Sequence, residues 1–92
     1  MPSLLLDANT GDKLEWMHIE CKEYHTVGLT KNGEVYSWGR NNWGQLGHGD
    51  KKERNFPTKV EALDGIKIIK ISCAYSSTAV LTDKWEILTW YV

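Results

Sequence analysis

Cysteine is scarce in this 92-residue chain, with Cys21 and Cys73 as its two examples. Two thiols are too few for a disulfide framework, and their scarcity leads us to expect a reducing, intracellular setting, cytoplasmic or nuclear. Proline is equally rare, with two residues. Long hydrophobic runs are missing as well. No apolar stretch exceeds three residues, as in Leu4–Leu6, whereas a membrane span needs about 20. Asp7 follows that stretch at once, which excludes a secretory signal core. A dominant charge sign is also absent. Eleven Lys and Arg against twelve Asp and Glu leave a net charge of −1, so no general attraction to DNA or anionic lipid is expected. Against these absences stand five Trp and eight Gly.

The chain repeats itself. Residues 19–40 align without a gap on residues 71–92, at an offset of 52. The identical pairs are Ile19/Ile71, Cys21/Cys73, Thr26/Thr78, Leu29/Leu81, Thr30/Thr82, Glu34/Glu86 and Trp38/Trp90. Each unit reads as short strands. His25–Thr30 and Glu34–Trp38 are β-prone and flank Lys31-Asn32-Gly33, where Asn-Gly predicts a type I′ hairpin turn. A preceding strand is expected at Met17–Cys21 and again near Lys67–Cys73, and a fourth near Thr58–Ala62, after Pro57. Gly39–Gly49 reads as a glycine-punctuated loop and Asp64-Gly65 as a turn. No helix is predicted, because Pro57 and Gly65 cut the best stretch short. Three segments result: 1–16 as an N-terminal segment or strand, 17–65 as a first repeat, and 66–92 as a partial, divergent second.

Four short strands in a unit of about 50 residues, ending in Trp-Gly, describe a propeller blade. The fold class expected is all-β: antiparallel blades of a β-propeller, roughly one and a half of them, in an incomplete ring. Cys21, His25-Thr26, Leu29-Thr30, Gly33-Glu34-Val35-Tyr36-Ser37-Trp38-Gly39 and then Gly44-Gln45-Leu46-Gly47, Gly49-Asp50, Pro57 and Val60 carry a further resemblance. Together they resemble the regulator-of-chromosome-condensation repeat, over residues 19–63 and, less closely, 70–90. The second unit departs from the pattern. Ser77 replaces His25, Trp85 replaces Gly33 and Tyr91 replaces Gly39. Trp85 in the same turn would need positive φ, at about 1–2 kcal/mol, so a different turn or register is expected there.

The resemblance implies a seven-bladed ring, of which this chain would be a fragment. Open blade faces and edges then invite self-association. It also implies two functions. In the first, loops on the propeller bind a protein partner, and any catalysis belongs to another domain such as a ubiquitin ligase or BTB adaptor. In the alternative, the chain is part of a guanine-nucleotide exchange regulator of a small Ran-like GTPase, or a remnant without independent function. Interaction ranks first, since no residue here can be matched to exchange.

No catalytic, cofactor or metal site is expected. The cysteines lie 52 residues apart, without further ligands at zinc spacing, and read instead as buried small hydrophobes. His48-Gly49-Asp50 and His25 lack a nucleophile in a recognised setting. His25 reads as structural, bonded to a neighbouring loop. Gly39 and Gly44 have the spacing of a phosphate loop, but Gln45-Leu46 stand where Lys-Ser/Thr belongs. Trp38 and Trp90 read as fillers between blades. Arg40, Asn42 and Trp43 are the candidate partner contacts, because Trp and Arg dominate interface hot spots. Lys51–Arg54 is a mixed charge run, read as solvated loop and not as a DNA patch.

Overall fold

A computed structural model describes residues 6–7, 9–22, 25–42, 44–74 and 77–90. They form two antiparallel sheets. The first has the order β1 (Trp16–Lys22), β2 (His25–Thr30), β3 (Val35–Gly39) and β4 (Arg54–Lys59). The second holds β5 (Ile68–Cys73), β6 (Thr78–Thr82) and β7 (Ile87–Trp90). These are blades of four and three strands, so the all-β expectation and the offset of 52 both hold.

The two units share their irregularities as well as their strands. In the first ladder Trp16 pairs with Thr30 and His18 with Leu29, leaving Met17 as an extra residue. In the second Ile68 pairs with Thr82 and Lys70 with Leu81, leaving Ile69 extra. A bulge at the same repeat position turns the side chains after it to the other face.

The hairpins correct two expectations. Between β2 and β3, Gly33 N–H donates to the Thr30 carbonyl at 3.0 Å and Thr30 N–H to the Glu34 carbonyl at 2.9 Å. Within Lys31-Asn32-Gly33, Gly33 alone has positive φ, at 84°. The loop is therefore a three-residue turn closed by a left-handed residue, not a type I′ turn. The second unit builds the same loop in the same register. Trp85 N–H donates to Thr82 O at 3.0 Å, Thr82 N–H to Glu86 O at 2.9 Å, and Leu81 pairs with Ile87 as Leu29 pairs with Val35. Trp85 accepts φ of 66°. The Thr and Glu common to both units explain why. Thr30 Oγ1 accepts Glu34 N–H, and Thr82 Oγ1 accepts Glu86 N–H, each at 3.1 Å.

The fourth strand lies earlier than expected. It ends at Lys59, and Glu61–Leu63 form a single 3₁₀ turn instead of its continuation. Pro57 sits within this strand, at the sheet edge, where its missing N–H breaks no ladder. Val60 N–H still reaches Val35 O at 2.9 Å.

The core lies between the blades. Val27, Leu29 and Val35 of the first sheet pack with Val60, Leu63, Ile68, Ile71 and Val80, and Cys73, Leu88 and Trp90 join them. Burying one such side chain is worth about 1.5–3 kcal/mol, and a single blade has no second face to supply it. The cysteine expectation fails by half. Cys73 is half-buried, with Sγ 3.7 Å from Glu20 O, and desolvation pushes its thiol up to about 12. Cys21, at the same repeat position, is exposed. The position faces the preceding blade for Cys73, and among the described residues no blade covers Cys21.

The N-terminal segment covers part of that outward face. Leu6 bridges Lys13, and Tyr36 OH donates to Asp7 Oδ2 at 2.7 Å. Asn9 N–H and Thr10 N–H donate to Asp7 Oδ1. Burial works against the Asp7 carboxylate, but these donors outweigh it and hold its pKa below the usual value. No helix among the described residues is long and apolar enough to cross a membrane.

Candidate functional site

The loop from β3 to β4 is built around Asn41, which is fully buried. Its Nδ2 donates to Lys52 O at 2.8 Å, Asp50 O at 3.0 Å and Asp50 Oδ1 at 3.1 Å. Its Oδ1 accepts Leu46 N–H at 3.0 Å. One amide thus ties both ends of the loop to its middle. Gly44 and Gly47, at φ of 77° and 79°, make the left-handed turns that the clamp requires. Asp50 anchors the exit, where Arg54 grips it with both terminal nitrogens at 3.1 and 3.0 Å. That pairing, with Lys52 N–H, pulls its carboxyl down to about 2.

His48 and Ser37 meet in the same loop, with Nε2 3.1 Å from Oγ. Ser37 is fully buried, and its hydroxyl donates to Leu46 O at 2.7 Å. A hydroxyl has one proton to give, so His48 Nε2 is the donor to Ser37 Oγ. Burial and the nearby Arg54 hold the His48 pKa below its ordinary value. The pair braces the loop and does not activate the hydroxyl. Asp50 is turned to Arg54, and no Ser-His-Asp line forms.

The loop also joins the blades. Gln45 O accepts Thr78 Oγ1 at 2.8 Å and Trp90 Nε1 at 2.7 Å. Because Thr78 spends its proton there, His25 Nε2 donates to Thr78 Oγ1 at 3.3 Å. His25 therefore bonds to the first residue of a strand of the next blade. The backbone of Ser77, in the loop just before that strand, also acts on its ring, in line with the expected loop partner. Its Nδ1 is buried without a partner among the described residues, and desolvation lowers its pKa. Trp90 fills the seam between blades as expected. Trp38, at the same repeat position, lies on the face of the first sheet away from the second, its ring 5.7 Å from Trp16.

Of the candidate contacts, Arg40 and Asn42 are exposed on either side of the buried Asn41. The clamp holds the backbone from which both project. Trp43 lies outside the described residues. Sequence reading passed over Asn41, whose only signal was an Asn-Asn pair before a glycine. Among the described residues, no group of three or more His, Cys, Asp or Glu is placed to hold a metal ion.

This two-blade arrangement has counterparts in known proteins. The chain is 34% identical over 76 residues to the human E3 ubiquitin-protein ligase HERC2, covering 80% of this chain and 2% of that protein. It is 42% identical over 72 residues to the Arabidopsis thaliana RCC1 domain-containing protein RUG3, mitochondrial, covering 78% of this chain and 16% of the relative. The chain thus spans a small part of the length of these relatives. Human WBSCR16 superposes with a TM-score of 0.79 at 27% identity, over 83% of this chain and 19% of the other. The regulator of chromosome condensation (RCC1) repeat matches residues 32–81, and a second form of it matches residues 18–45. With more than half its length matched, the chain belongs to the RCC1 repeat family, as a segment that covers part of a propeller.

Proposed function

We propose that this segment is a protein-interaction module, with Arg40, Asn42 and Trp43 in contact with the partner. The observation that carries the reading is the Asn41 clamp, which fixes a loop backbone and leaves Arg40 and Asn42 exposed beside it. A loop ordered before binding loses less entropy on association than a floppy one. The similarity to a stretch of HERC2 supports a division of labour in which a repeat segment binds and another domain carries out catalysis. In the wider protein this segment contributes two neighbouring blades of a ring.

The test places a photo-crosslinking side chain at Asn42 in the parent protein and a control at Glu53. Discrete adducts at position 42 that disappear with Arg40→Glu support the reading. Adducts of equal strength at both positions overturn it. The competing reading, exchange on a Ran-like GTPase, is measured directly as release of labelled guanine nucleotide. Catalytic acceleration by this chain would reverse the ranking.

A further inference from the structure

His25 is 2% exposed and stands where the two blades meet. The order of protons there is fixed from one end. Gln45 O has no proton, so Thr78 Oγ1 and Trp90 Nε1 both donate to it, at 2.8 and 2.7 Å. Thr78 Oγ1 then accepts from His25 Nε2 at 3.3 Å. Neutral His25 is therefore the Nε2–H tautomer. Its Nδ1 is a bare lone pair, buried and without a partner among the described residues.

A second proton would go to Nδ1. It would place a cation and an unanswered N–H donor in the closed seam, and burying either without a partner is costly. The neighbouring elements offer little relief. On β1, Lys22 pairs with His25, and Glu20 on the same face is 2.8 Å from His18. On β3 the partner is Gly39. The second blade brings Thr78 and Ser77, and the Ser77 backbone offsets burial only in part. Cys73, paired with Thr78, has its thiol pushed up to about 12 and stays neutral. In the loop, His48 is turned to Ser37 and Asp50 to Arg54. The charged ring reaches water only when Gln45 and Thr78 part.

We propose that His25 is an acid-sensitive latch on the blade seam, whose protonation releases the β3–β4 loop from the second blade. At neutral pH the latch is shut, with Gln45 held by Thr78 and Trp90. Below the ordinary histidine value of 6.5, the open seam binds a proton that the closed seam rejects, and the balance moves towards open. The second unit has Ser77 at the His25 position, a hydroxyl that does not titrate in this range. Release removes the loop's support, so a partner reached through Arg40 and Asn42 binds less in mild acid. That consequence rests on the partner-contact reading; the latch itself does not.

The test is amide hydrogen exchange on the parent protein, without a partner, from pH 7.5 to 5.5. Rates are corrected for the intrinsic pH dependence of exchange, so the outcome bears on the latch and not on the partner contact. In residues 44–47 the corrected rate should rise roughly three- to tenfold over the last pH unit, as opening takes up one proton. Residues 26–29 of β2 should stay protected. His25→Gln keeps an amide N–H near the Nε2 position and cannot titrate, so the rise should vanish. His48→Gln, which removes the loop's own histidine, should keep it. No rise in the wild type overturns the proposal. So does a rise that survives His25→Gln, or one that residues 26–29 share equally. If His25→Gln does not fold, His48→Gln decides: a rise that it retains supports the latch, and one that it abolishes overturns it.

Discussion

Trp90 donates its indole N–H to the carbonyl of Gln45 at 2.7 Å, across the seam between the two blades. The same ring lies where a Cβ on Gly47 would be, 2.6 Å from two of its atoms. One side chain of the second blade thus fixes the loop of the first, by a hydrogen bond and by van der Waals contact. Gly47→Ala must push this ring aside and hold alanine at φ of 79°. We expect a loss of more than about 2 kcal/mol, the strain alone being roughly 1–2. Gly49→Ala has φ of 83° but nothing within 4 Å, and should lose about 1–2 kcal/mol, the strain alone. Denaturant melts of the two variants separate strain from contact. Equal losses would count against the Trp90 seam.

The hairpin at Trp85 runs the opposite way. An L-residue in the left-handed region costs roughly 1–2 kcal/mol, and glycine there returns part of that as unfolded-state entropy, about 0.5–1. Trp85 is largely exposed, so little packing is lost. Trp85→Gly should raise stability by about 0.5–1 kcal/mol. A melting temperature below that of the wild type would contradict the shared turn.

Asn41→Leu removes all four side-chain hydrogen bonds of the loop clamp. It leaves Leu46 N–H and two carbonyls to find other partners. At about 0.5–1.5 kcal/mol per bond, and more for groups left buried and unpaired, a loss of about 3 kcal/mol is expected. Asn41→Asp should be as damaging at neutral pH, because a carboxylate would face Asp50 and the Lys52 carbonyl. Amide hydrogen exchange in residues 44–50 reports whether the loop opens before the blades do.

Two histidines set the response to mild acid. The His25 and His48 pKa values both lie below the ordinary 6.5, with burial as the leading cause. The folded state therefore binds fewer protons than the unfolded chain. Their contribution is fully present above pH 6.5 and declines as pH falls below it, through the folded values. Unfolding free energies measured from pH 7.5 to 5 should fall, and His25→Asn should flatten the slope. Asp7 and Asp50, lowered from 3.8, add a second decline below that value.

Much of the fold was legible in the sequence because repetition is a sequence property. Seven identities at one offset fixed the blade unit, its strands and the pairing of β1–β3 with β5–β7. The Trp-Gly and Gly-Gln-Leu-Gly stretches fixed the loop as glycine-punctuated, since left-handed turns leave glycine as their mark. What tertiary structure decided is which face of each blade meets another. Cys21 and Cys73 are the same residue at the same position, yet one is exposed and the other half-buried. Trp38 and Trp90 likewise divide between the far face of the first sheet and the seam with the second. A repeat pattern cannot distinguish them, because burial depends on the neighbouring blade and not on the residue. The same holds for Asn41, whose partners at Leu46, Asp50 and Lys52 converge only once the loop has closed. Local sequence set the turns and strands through backbone preference and periodicity; contact between blades determined what those elements conceal and what they present.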